Sequence, residues 1–180
     1  MTIALFAFLG LTAQEQSIPS LSKKNNELKI GILTAVLYPG LELEYEHLMT
    51  PSTSVGGNIS YIFDANNSYY DYYTDAYFRF YFNEKKEYGM NGFFAQTYLS
   101  FLAKQNEIYY DYEVVDPDYD TPPQNDYYNT LGIGFGLGKK WTTSRGFSIQ
   151  TIFTLGRNFS DSDYYDEIVP RFDIYFGYRF

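Results

Sequence analysis

From about residue 26 onward, apolar and polar residues alternate with a period of two, the signature of strands with one apolar face. The pattern predicts about eight strands: Glu27 to Leu37, Leu41 to Leu48, Val55 to Phe63, Ala76 to Asn83, Phe93 to Ala103, Asn129 to Lys140, Phe147 to Asn158 and Arg171 to Phe180. Most approach the roughly 9–11 residues that a tilted strand needs to cross a bilayer. One parity is almost wholly apolar, as in Phe78, Phe80 and Phe82 or Leu131, Ile133, Phe135 and Leu137. The other carries charge, hydroxyls, amides and glycine, as in Glu42, Glu44 and Glu46 or Gly132, Gly134, Gly136 and Gly138.

The connectors are unequal. Short ones hold Tyr38-Pro39-Gly40, Thr50 to Thr53, Asn83 to Met90 and Thr142 to Gly146. Long ones cover 64–75, 105–128 and 158–170, and alternation of the strands puts all three at one end of the sheet. Both chain termini and most short turns fall at the other end. That is the layout of outer-membrane barrels. The expected fold is therefore all-β: a transmembrane antiparallel up-and-down β-barrel of about eight strands over 26–180.

Composition sharpens this picture. Aromatic residues reach 21%, with 21 Tyr and 16 Phe, which favours strands. The three long connectors hold 14 of the 22 acidic residues and no Lys or Arg, so the net charge of -9 gathers at one pole. An acidic chain is a poor partner for nucleic acid. Zero Cys excludes disulfides, thiolate metal sites and a lipid-anchored cysteine. The apolar run Ile3 to Leu11, followed by Thr12-Ala13, reads as a signal peptide over 1–13, with 14–25 a short polar lead-in.

Alternation alone does not say which face is wet. A soluble lipocalin-like carrier would turn its apolar face inward, and a membrane barrel turns it outward. The mass of Phe, Leu and Ile would overfill the bore of about eight strands, and alternate glycines suit a crowded interior better than a solvated face. The outward reading places Lys29, Glu42, Glu44, Glu46, Arg79, Lys140, Arg171, Asp173 and Arg179 in the lumen. Isolated buried charge is costly, so these are expected to form one charge network that fills the bore. A narrow pore is the remaining alternative.

Catalytic, cofactor and metal sites are not expected. His47, the single histidine, has outward parity near a strand end. Asp116, Asp118 and Asp120 share the spacing of a calcium loop, but Thr121 and Tyr127 stand where it needs Gly and Glu. GIGFGLG has strand period and no following helix, so it is no phosphate loop.

The assembled segments NELKIGIL, LELEYEHLM, SVGGNISY, RFYF, NGFFAQTYLSF, LGIGFGLGKKW, RGFSIQTIFTLGRNF and GYRF span nearly all of 26–180. They resemble the small outer-membrane barrels of Gram-negative bacteria, of the OmpA transmembrane domain and OmpX type. More closely, they resemble a family of such barrels of unknown function. The resemblance implies a location in the outer membrane and a barrel of about eight strands, and it assigns no activity, because that family has none assigned. Both termini are expected to be periplasmic, and the chain is not expected to be an enzyme. The terminal pattern Phe176, Tyr178, Phe180 resembles the signal read by the outer-membrane barrel assembly machinery. The expected partners are that machinery, outer-membrane lipid, and a ligand or protein reached through loops 64–75, 105–128 and 158–170. The expected role is structural or surface-interacting.

Overall fold

The computed structural model describes residues 24–37, 39–63, 71–82, 90–107, 125–159 and 168–180. The expected leader over 1–13, most of the lead-in, and residues 64–70, 108–124 and 160–167 of the long loops lie outside the described residues. The strands are β1 (Asn26–Gly31), β2 (Gly40–Thr50), β3 (Thr53–Ile62), β4 (Tyr72–Phe82), β5 (Gly92–Glu107), β6 (Asn125–Thr142), β7 (Phe147–Asn158) and β8 (Ile168–Arg179), with one helix, α1 (Ile32–Leu37). Each strand pairs antiparallel with the next, and β8 returns to β1. The fold expected from the alternation is the fold observed: a closed up-and-down barrel of eight strands.

The seam is short. β1 and β8 pair from Glu27↔Arg179 to Gly31↔Tyr175. Two further hydrogen bonds between Asn26 and Phe180, at 3.3 and 2.8 Å, clamp its lower end. Closure removes the free edges that an open sheet would present.

The pleat sorts the side chains by chemistry. Of the fourteen Phe among the described residues only Phe94 is buried, while the rest stand on the outer surface. Tyr73, Tyr77, Tyr81, Tyr98 and Tyr175 are buried in the bore together with Glu, Lys, Arg, Ser and Gln. The difference is one hydroxyl: Tyr can donate to a buried carboxylate and Phe cannot.

Several boundaries differ from the sequence expectation. The first strand stops at Gly31, and Ile32–Leu37 is helical. Beyond Gly31 the inward parity is Leu33, Ala35 and Leu37, so continuing the strand would push apolar side chains into a polar bore. A helix closes its backbone hydrogen bonds locally instead. β4 starts at Tyr72 rather than Ala76, so Tyr72, Tyr73 and Asp75 belong to the wall and not to a loop. β5 runs on to Glu107 and β6 begins at Asn125, which shortens the connector between them to 108–124. β8 starts at Ile168 and includes Pro170 opposite Leu155. Its other side is free at that point, because β1 pairs only with Tyr175–Arg179. A residue without an N–H is tolerated on such an edge.

Candidate functional site

The candidate site is the lumen. β2 supplies its axis: Glu42, Glu44 and Glu46 point inward at every second residue, each at most 2% exposed. β1 lies beside it and brings Lys29 opposite Glu44 and Glu27 opposite Glu46. β4, two strands away, runs parallel to β2 and presents Tyr73, Asp75, Tyr77, Arg79 and Tyr81.

Glu46 is the hub. Its Oε2 accepts from Lys29 Nζ at 2.5 Å, Lys140 Nζ at 2.6 Å and Arg79 Nη1 at 2.9 Å. Its Oε1 accepts from Ser54 at 2.5 Å and Tyr81 at 2.6 Å. Glu44 Oε1 accepts from Lys29 at 2.6 Å, Tyr77 at 2.6 Å and Arg79 Nη2 at 3.1 Å. Arg79 also donates to Gln96 and Gln150, and its guanidinium lies between the rings of Tyr77 and Phe94 at 4.4 and 4.2 Å. A planar, always-charged fork suits a site that needs several donors and two stacking faces at once.

Two flanking groups complete the lumen. Toward the termini, Glu27 accepts from Ser148 at 2.6 Å and Lys140 at 3.2 Å, with Arg179 Nε at 3.6 Å. Arg179 also donates to the Met90 carbonyl at 2.9 Å, over an apolar plug of Tyr81, Met90, Phe94, Ile152 and Tyr175. Toward the loops, Glu42 is held by neutral donors only: Tyr73 and Tyr175 at 2.5 Å, Thr34 of α1 at 2.7 Å and Asn58 at 3.3 Å. Arg171 pairs with Asp75 at 2.7 Å.

The nine lumen residues read from the sequence therefore separate. Lys29, Glu44, Glu46, Arg79 and Lys140 share one contiguous cluster, and Arg179 joins it through Glu27. Arg171 pairs with Asp75, and Asp173 lines a small cavity with it. Glu27 and Asp75 were missed. Glu27 shares the parity of Lys29 and was legible one step further along β1. Asp75 sits among tyrosines and acids that read as loop, and its partner is 96 residues away.

Close packing depends on absent side chains. A Cβ on Gly56 would run into the Tyr77 ring, which crosses β3 to reach Glu44. A Cβ on Gly134 would meet the Tyr98 ring and Leu155 O, and one on Gly156 would sit 2.6 Å from Tyr98 Oη. Among the described residues, two cavities in the wall and bore each hold about 10 Å³, room for roughly one water.

Outside, His47 Nδ1 lies 2.8 Å from Asn26 Oδ1, which also accepts from Tyr45 at 2.7 Å. Lys139 rests over Phe93 and Trp141 at 4.5 and 5.0 Å. Phe176, Tyr178 and Phe180 all stand outward, at 50%, 43% and 52% exposure.

No family model matches the chain, and no curated protein matches it. Among solved structures it is similar to the N-terminal β-barrel domain of Pseudomonas aeruginosa OprF, at 12% identity and a TM-score of 0.56. The likeness covers 87% of this chain and 98% of that domain. At such identity the likeness is one of fold.

Proposed function

We propose that this chain is a non-enzymatic, integral outer-membrane β-barrel with a packed polar lumen and acidic, Tyr-rich loops turned outward. The observation that carries the reading is the inverted sorting of side chains. Soluble monomers rarely leave an apolar patch larger than a few hundred Å². Here the outer wall is apolar around the circumference, from Leu28 and Ile30 through Phe78, Phe80, Leu131, Phe135 and Phe153 to Phe172. Among the described strand residues most charges are inside, where Lys29, Arg79, Lys140 and Arg179 pair with Glu27, Glu44 and Glu46, and Arg171 pairs with Asp75. Strands cross a bilayer only when closed in this way, because every backbone group must be paired within the wall. Small outer-membrane barrels of Gram-negative bacteria have the same arrangement.

In this reading the short-turn end and both termini face the periplasm, and Lys139 with Trp141 lies at the headgroup level. Glu27, Glu42, Glu44 and Glu46 are each held by several donors, which supports a structural or surface-interaction role over catalysis or conduction. The connectors 64–71, 108–124 and 160–167 would contact a partner outside the cell. The test is fractionation with gel mobility before and after boiling. The chain is expected in the outer-membrane fraction, with a heat-dependent shift. Recovery in the soluble periplasm without detergent would defeat the reading and favour a lipocalin-like carrier.

Phe176, Tyr178 and Phe180 serve the assembly machinery in the same reading. Deleting Phe180 removes an outward ring and the Phe180 N–H bond to Asn26 O at 2.8 Å. Insertion of the truncated chain in cells is expected to slow or fail, while refolding from urea into detergent is only weakened. Normal insertion in cells would count against the signal role.

A further inference from the structure

The outer wall is apolar but not neutral. Every carboxylate among the described strand side chains turns into the bore: Glu27, Glu42, Glu44, Glu46, Asp75 and Asp173. Two cations stand on the other face, Arg157 toward the loops and Lys139 toward the short turns. The Lys139 ammonium lies over the rings of Phe93 at 4.5 Å and Trp141 at 5.0 Å. Among the described residues no carboxylate pairs with it. The connector 83–89, between β4 and β5, adds two Glu and two Lys, whose charges cancel. Ring faces attract an ammonium but do not neutralise it.

Beside Lys139 the wall is indented. β5 turns Ala95 and Thr97 outward, on the same face as Phe93. Phe80 and Phe78 flank them on β4, and Leu137 and Phe135 flank them on β6. Those four bulky residues are 45% to 59% exposed, so they stand out from the wall on both sides of the small pair. Phe93 and Leu99 mark the ends of this trough. Adjacent strands lie about 5 Å apart, which makes it roughly 10 Å across. It runs from the level of the ammonium up toward the middle of the wall.

We propose that this face binds one phospholipid of net negative charge, with its phosphate on Lys139 and Trp141 and an acyl chain in the trough. The site rests on the outer-membrane reading above and lies at the periplasmic side of the bilayer. A cation without a carboxylate selects an anion, and a trough floored by Ala95 and Thr97 selects one that carries hydrocarbon. Trp141 adds an indole N–H, a donor suited to a phosphate oxygen. A zwitterionic headgroup brings its own ammonium, which competes with Lys139 for the phosphate. A headgroup of the phosphatidylglycerol type has one negative charge and no cation, so it fits better.

A ligand that binds only the folded state raises the unfolding midpoint saturably. The folded barrel in non-ionic micelles is titrated with phosphatidylglycerol or with phosphatidylcholine of the same chains. Half-saturation by phosphatidylglycerol is expected at an about fivefold lower mole fraction, the worth of one basic residue beside anionic lipid. Lys139→Gln should fold and lose that preference, and Lys139→Arg should keep it. Ala95→Phe fills the trough and should weaken binding of both lipids. Glycerophosphate, the anion without chains, should leave the midpoint where it is. Equal half-saturation of the parent by both lipids would overturn the proposal and leave Lys139 snorkelling to water. A preference undiminished in Lys139→Gln would overturn the site, placing the lipid elsewhere. A midpoint raised as far by glycerophosphate would replace the lipid with a free anion. Each of these outcomes leaves the outer-membrane location, tested by fractionation, untouched.

Discussion

Glu46→Gln is expected to destabilise the folded barrel by about 3–5 kcal/mol, the usual cost of removing one partner from a buried ion cluster. The side chain keeps its shape but not its charge. Lys29, Lys140 and Arg79 all point at Glu46 Oε2 within 2.9 Å, and each is fully buried. The substitution raises the local excess from one positive charge to two. Glu44 can still take Lys29 and Arg79, whereas Lys140 is left with Glu27 alone at 3.2 Å. Adding Lys140→Met returns the excess to one, so the double variant should recover part of the loss. Urea unfolding in micelles, followed by tryptophan emission from Trp141, checks both. A double variant less stable than Glu46→Gln would show that Lys140 stabilises through packing and not through charge.

Gly134→Ala is expected to cost more than Gly156→Ala, although both glycines face Tyr98. Overpacking a close-packed interior typically costs about 1–3 kcal/mol, and the amount depends on what can move. At Gly156 the new Cβ would meet Tyr98 Oη at 2.6 Å and nothing else closer than 3.5 Å. At Gly134 it would meet Tyr98 Oη at 2.5 Å, the ring carbon behind it, and Leu155 O at 2.6 Å. A hydroxyl can be removed and a backbone carbonyl cannot. Tyr98→Phe should therefore rescue Gly156→Ala and leave Gly134→Ala largely unrelieved. A double-mutant cycle measures this directly. Equal rescue at both positions would mean that the wall at Leu155 yields.

The barrel was legible because its signal is local and repeated. A pleated strand sends alternate side chains to opposite faces, so the parity of Phe78, Arg79, Phe80 and Tyr81 is written in their order. The same rule extends to Glu27, which was overlooked only because it opens its strand. α1 was not legible by this rule. In Ile32–Leu37 the β-branched Ile32, Thr34 and Val36 favour a strand, and only the polar bore, which Leu33, Ala35 and Leu37 would enter beyond Gly31, forbids one. The start of β4 failed for the opposite reason. Tyr72, Tyr73 and Asp75 read as loop until Glu42 and Arg171 are seen to hold Tyr73 and Asp75.

By itself, the order of residues determined the number of strands to within their ends, the closed antiparallel topology, and which side chains share a face. These follow from pleat geometry and from the lengths of the connectors. The tertiary structure decided the pairing inside. Arg79 meets Gln150 across 71 residues, and Arg171 meets Asp75 across 96. Such contacts depend on strand register, on how far each side chain leans, and on which neighbours are glycine. The division of the lumen into a charge cluster toward the termini and separate Glu42 and Arg171–Asp75 groups toward the loops follows from that geometry. It arises only when eight strands close around a bore too narrow for any charge to stand alone.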